Sequence, residues 1–171
     1  MSIITHRSMW IALVFALFLS ACTDATQINN DSEAVTESPI RSLTVYKSRS
    51  CKCCQKWVNH IEEHGFAADV SNVTLMSRIK DKYGVAPNYR SCHTALSPDG
   101  FVFEGHIPAK FIQQFLDNIP EGAIGLSVPA MPIGSPGMEV SDQFRPYLIL
   151  QLNDDGSATT YAEVNTYEEQ F

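Results

Sequence analysis

The sequence predicts an α/β fold, with elements in the order β-α-β-α-β-β-α, then a Gly/Pro/Met-rich loop and a C-terminal β-hairpin. Three observations carry this. Short β-rich runs alternate with stretches whose apolar residues recur at three- and four-residue spacing, as strands interleaved with amphipathic helices do. Turn-forming groups (Ser97-Pro98-Asp99-Gly100, Asn153-Asp154-Asp155-Gly156) fall between these runs. The 171 residues are 44% hydrophobic and 18% charged, which suits one globular domain with a real core.

The chain opens with an address. Residues 1–7 carry one basic residue, Arg7, and residues 9–19 are uncharged and apolar, too short a run for a comfortable membrane span. This run ends in Leu19-Ser20-Ala21-Cys22, which resembles the lipobox of bacterial lipoproteins. The resemblance implies a signal peptide over 1–21, cleavage before Cys22, lipidation of Cys22, and attachment to the membrane through that lipid. An ordinary signal peptide with an incidental Cys is the alternative. Thr23 follows the Cys rather than Asp, which resembles the outer-membrane sorting pattern. The expected location is therefore the bacterial cell envelope, lipid-anchored and facing the periplasm. Residues 22–40 are polar, without apolar period, and read as a flexible tether to a domain over 41–171.

Within the domain, 41–47 reads as a strand. Residues 54–64 read as a helix, with Cys54, Trp57, Val58 and Ile61 on one face and Gly65 as C-cap. Residues 66–70 are a second strand. Residues 73–83 are a second helix with Leu75, Met76, Ile79 and Tyr83 on one stripe, ending at Gly84. Residues 89–96 and 101–105 pair as a hairpin. Pro108 opens a third helix with Phe111, Ile112, Phe115 and Leu116 inward, ending near Ile119-Pro120. In 122–138 glycines and prolines oppose regular structure, yet Ile124, Leu126, Val128 and Ile133 require burial. An ordered loop folded over something is expected there. Residues 147–152 and 158–164 form the last hairpin. This order, with a Cys-rich turn after the first strand, resembles the thioredoxin/glutaredoxin-like fold. Pro87 matches the place where that fold carries a cis-proline.

The chemistry centres on Cys51-Lys52-Cys53-Cys54, at the strand-to-helix turn. Unpaired N–H groups and the positive end of the helix dipole favour thiolate there. That suits either a soft-metal site or a redox site. Setting Cys22 aside leaves Cys51, Cys53, Cys54 and Cys92. Adjacent Cys53 and Cys54 make only a strained bridge, so a structural disulfide framework is a poor account of the spacing. From Cys22 onward the chain has 11 Lys+Arg against 19 Asp+Glu, and no basic run. Nucleic acid is thus not an expected partner.

Four motifs stand together: Cys51-Lys52-Cys53-Cys54 with Trp57 and His60; Ser91-Cys92-His93-Thr94-Ala95; Glu104-Gly105-His106 with Pro108-Ala109; and 125–139, from Gly125-Leu126 through Val128-Pro129, Met131-Pro132 and Gly134-Ser135-Pro136-Gly137-Met138-Glu139. They resemble the CopG-type family of bacterial envelope proteins associated with copper resistance. The resemblance covers about residues 42–164. It implies a thioredoxin-like fold, copper as the bound metal, and handling of Cu(I) and Cu(II). The donor types agree, since thiolate and thioether select Cu(I) while imidazole suits copper and zinc. Four thiolates balance four Cu(I) ions, so charge permits a polynuclear cluster.

The candidate ligands are Cys51, Cys53, Cys54, Cys92, His93, His106, Met131 and Met138. Each has a bland alternative. Cys92 reads equally as a small buried hydrophobe. His93 should face the other side of a regular strand from Cys92, so both reach one metal only if the strand ends or bulges there. For the methionines the alternative is plain packing. His60 reads as structural and His64 as a cation at a helix end. Glu104 and Glu139 are expected to fix histidine tautomers. Other envelope copper-handling proteins are the expected protein partners. Two further functions compete: a thiol–disulfide oxidoreductase using the C-x-x-C pair Cys51 and Cys54, and a zinc-stabilised module, which the methionines disfavour.

Overall fold

Among the described residues seven strands form one mixed sheet, in which the second strand lies at one edge beside the first and the third to seventh follow in chain order. The computed structural model describes residues 41–171; the signal segment, Cys22 and the tether lie outside the described residues. The elements are β1 Arg41–Lys47, α1 Lys52–Glu63, β2 Phe66–Asn72, α2 Met76–Lys82, β3 Thr94–Leu96, β4 Val102–Glu104, α3 Ala109–Asp117, β5 Ala123–Ser127, β6 Tyr147–Asn153 and β7 Ala158–Val164. The pairs β1/β2 and β4/β5 are parallel and the rest antiparallel. Among the described residues, no helix is long and apolar enough to cross a membrane.

Side chains alternate across the sheet and fill two cores. Leu43, Val45, Ala95 and Phe103 join Trp57, Val58 and Ile61 of α1 and Ile112 and Phe115 of α3. Leu96 and Val102 face the other way, with Val85 and Leu152. The first strand, the last hairpin and the third helix lie where their patterns predict. Gly65, at φ 86°, ends α1 with its N–H donated to Glu62 O.

Three expectations require correction. The second helix is shorter than 73–83, and its predicted stripe is not its core face. Leu75 is 52% exposed, Met76, Ile79 and Tyr83 are half-buried, and the fully buried residue of α2 is Lys80. A charged partner on the sheet below, Glu104, takes that place. The third strand starts at Thr94, because Pro87–Tyr89 forms a 3-10 turn that breaks the extended run. Pro87 therefore does not stand at the head of the strand, and every peptide bond among the described residues is trans. Finally, 122–138 is not all loop. Ala123–Ser127 is a strand parallel to β4, in register Val102↔Gly125. A Cβ on Gly125 would sit 1.8 Å from Val102 O, so here glycine permits the close pairing instead of preventing it.

Candidate metal centre

The start of α1 holds three of the four cysteines among the described residues. Cys51 is its N-cap, with extended backbone, and its sulfur accepts from Cys54 N–H at 3.3 Å. The helix therefore starts two residues earlier than its apolar period suggested, because sulfur satisfies an orphan donor. Cys54 is buried, and Cys53 lies half-buried with its sulfur 3.4 Å from that of Cys51.

A disulfide joins Cys51 and Cys54, with Cα atoms 5.3 Å apart. This is the C-x-x-C pair, the pairing that avoids adjacent residues. Cys53 and Cys92 are free thiols. In this oxidised state two of the four candidate cysteine sulfurs are joined to each other.

The second half of the site comes from across the sheet. Because β3 begins at Thr94, Cys92 and His93 precede the regular strand, and both reach the site. The sulfurs of Cys51, Cys53, Cys54 and Cys92 lie within 4.8 Å of one another, and Cys92, His93 and His106 form a second such group sharing Cys92. Cys92 Sγ is 3.0 Å from His106 Nε2 and 3.3 Å from His93 Nδ1.

Hydrogen positions follow from the acceptors. His106 Nδ1 lies 2.8 Å from the Pro136 carbonyl, so Nδ1 donates and Nε2 keeps its lone pair toward Cys92. The Cys92 thiol donates to that lone pair. His93 Nδ1–H then donates to the same sulfur, which leaves His93 Nε2 a bare lone pair. That atom is buried without a hydrogen-bond partner. An unpartnered acceptor in a fully buried ring is costly unless something binds it. A metal ion fits this donor set.

Burial lowers the pKa of His93 well below its usual value, with repulsion from His106, Lys80 and Lys47 adding to it. Burial also lowers that of His106, against the Pro136 carbonyl and Glu139, which raise it. Both imidazoles are therefore neutral and fit to ligate. Burial and the neighbouring Cys53 push the Cys92 thiol up to about 12. Helix-end stabilisation of thiolate does not extend to Cys92, which is not on the helix.

The 128–138 loop covers this arrangement. Gly134, Ser135, Pro136 and Gly137 are buried. A Cβ on Gly137 would lie 2.7 Å from Cys53 O and 2.8 Å from Trp57 N, so the loop packs directly on the first turns of α1. Met138 is half-buried and Met131 is 46% exposed.

The expectation for the glutamates needs correction. Glu104 meets no histidine; it pairs with Lys80 and accepts from Ser91 N–H and Thr94 Oγ1. Glu139 accepts from Gly137 N–H at 2.6 Å and so ties the loop. The His106 tautomer is fixed by a carbonyl, which no side-chain pattern announces. His60 is structural: Nε2 accepts from Ala109 N–H at the start of α3, at 3.1 Å. His64 Nδ1 meets His60 O at the end of α1.

The fold and the site define a class: a mixed α/β protein with, among the described residues, a seven-stranded sheet, three helices and a thiol- and imidazole-based metal site. A family model described as "Protein of unknown function, DUF411" matches residues 89–138, the segment running from Tyr89 through the loop to Met138. Two solved structures, "Copper resistance protein copG" in Form 1 and Form 2, are each 35% identical to the chain with a TM-score of 0.68. They cover 73% and 72% of this chain, and 98% of their own length. No curated protein matches. The chain belongs to the CopG family of copper-resistance proteins.

Proposed function

We propose that this protein binds copper as cargo in the cell envelope, holding Cu(I) between the start of α1 and the Cys92–His93–His106 group. The observation that carries this is the convergence of ligand-grade atoms within 4.8 Å of one another around Cys92. Soft thiolates select Cu(I), and imidazole accommodates both oxidation states. The likeness to two solved structures of a copper resistance protein supports copper over zinc. Thiolate sulfurs this close favour bridging, so the reading extends to a small Cu(I) cluster that cycles between Cu(I) and Cu(II). Opening the Cys51–Cys54 disulfide takes two electrons and two protons from a thiol reductant and frees two more sulfurs as ligands.

The unit from β1 to α3 is read as thioredoxin-like, a reading supported by its element order and the Cys-rich turn after β1. Cys22 is assigned as a lipid anchor, most consistent with the outer membrane, with the domain facing the periplasm. Copper would be exchanged there with other envelope copper-handling proteins. Met131 and Met138 are assigned to the copper path as thioether donors on the covering loop.

The disulfide favours one second reading, a thiol–disulfide oxidoreductase acting through Cys51 and Cys54 at a helix start. Anaerobic Cu(I) titration with metal analysis separates the two. Several copper per chain supports the first. Absence of tight copper together with reduction of insulin disulfides supports the second and overturns the first.

A further inference from the structure

A buried ion pair lies behind the metal centre. Lys80 is 4% exposed and Glu104 is fully buried. Glu104 Oε1 accepts from Lys80 Nζ and, at 2.6 Å, from Ser91 N–H; Oε2 accepts from Thr94 Oγ1 at 2.6 Å. Lys80 Nζ also donates to Thr94 Oγ1 at 3.0 Å. Glu104 thus clasps both ends of the segment 91–94, whose middle is Cys92 and His93.

Geometry explains why one carboxylate does this. Thr94 and Glu104 are opposed across β3/β4 and face α2, whereas the His93 ring turns to the other side and packs against Trp57, with centroids 4.3 Å apart and planes tilted by 46°. The arm crosses from one sheet face to the other within these four residues. Its other ties are the β3/β4 pairing at Thr94, Gly105 N–H donating to His93 O at 3.0 Å just past the end of β4, and Ser91 Oγ donating to Ala130 O. A buried ion pair is a poor source of stability, since an apolar pair of similar volume is often as good or better. The pair fits a different task.

We infer that Lys80 and Glu104 are positioning residues, which hold the Cys92–His93 arm against His106 so that its donors meet those of α1. The inference rests on the proposed metal site for its copper consequence, but not for its mechanical one. Removing groups that orient metal ligands costs about 10–100-fold in metal affinity. Loss of the clasp also frees the arm to open locally.

The test uses the full chain and the double variant Lys80→Met/Glu104→Leu, with Glu104→Gln, near-isosteric, as the milder change. Without metal, alkylation of Cys92 by iodoacetamide is read by peptide mass spectrometry, with Cys53 as internal reference. We expect a rise of about tenfold at Cys92 alone in the double variant. Cu(I) affinity is then read by chelator competition with and without Cys92→Ser. In the wild-type background Cys92→Ser weakens binding; in the double-variant background it adds little, a non-additivity that a merely structural pair does not produce. Unchanged Cys92 alkylation, or equal cost of Cys92→Ser in both backgrounds, overturns the inference. If the double variant does not fold, Glu104→Gln carries the same two readouts. If the wild-type protein fails to hold Cu(I), the proposed function falls, and the alkylation result alone decides the positioning.

Discussion

Substituting Gly137→Ala probes the joint between the covering loop and the metal centre. Gly137 has φ 87°, and an added Cβ would meet Cys53 O at 2.7 Å, Trp57 N at 2.8 Å and His106 Nδ1 at 3.3 Å. The first two are backbone atoms of α1, so the loop must give way. A left-handed conformation costs a non-glycine residue about 1 kcal/mol or somewhat more. Overpacking against backbone adds about 1–3 kcal/mol. The expected loss is thus about 2–4 kcal/mol, which lowers Tm by roughly 8–16 °C for a domain of this size. Gly156→Ala is the control, because Gly156 has φ 82° with nothing within 4 Å of the added Cβ. It should lose only the conformational part, about 1 kcal/mol. Thermal unfolding followed by circular dichroism measures both. Displacing the loop also carries Pro136 O away from His106 Nδ1, so copper retention should fall with Gly137→Ala and not with the control. Equal destabilisation by the two substitutions refutes the packing of the loop on α1.

The remaining predictions concern charge and the buried tryptophan. Copper binding through Cys92 must displace a proton, because burial and Cys53 hold that thiol at about 12. Cu(I) affinity should therefore climb about tenfold per pH unit across the neutral range for each proton released; a flat chelator-competition profile contradicts this. Burial and then His64 hold His60 at about 4, and burial lowers His93 and His106 in the same direction. Below their ordinary value of 6.5 the unfolded chain binds more protons than the folded one, so stability should fall as pH drops from 6.5 toward 4. Urea midpoints over that window measure it, and a constant midpoint refutes it. Trp57→Phe removes the indole donor from Ile107 O, a buried bond of 2.8 Å. The orphaned carbonyl alone should cost about 1–3 kcal/mol in denaturant unfolding, and an unchanged midpoint contradicts it.

Local chemistry made much of the fold legible. Alternation marks β1 and the last hairpin, the Pro and Asp-Gly turn joins β3 to β4, and the spacing of Phe111, Ile112 and Phe115 marks α3. Residue type and spacing pointed to three cysteines at a helix start, whereas Cys92 and His93 read as part of a strand over 89–96 that in the structure begins only at Thr94. What the sequence could not disclose is tertiary. Gly125 reads as a breaker until β4 is beside it, and Lys80 reads as a surface charge until Glu104 lies beneath it. The Pro136 carbonyl that sets the His106 tautomer belongs to no side-chain pattern. The Cys51–Cys54 pair was legible as C-x-x-C spacing; the adjacency of Cys53 and Cys54 argued only against a structural disulfide framework.

The central claim is that thiols from a helix start and donors from a separate strand end act on the same copper. Replacing Cys51, Cys53, Cys54 and Cys92 by Ser, one at a time, and counting Cu(I) retained per chain by the reduced protein under competition tests it most directly. Each substitution should lower the copper retained, with Cys92→Ser lowering it as surely as the three on α1. Full copper retention by Cys92→Ser would show that the two halves do not share the metal.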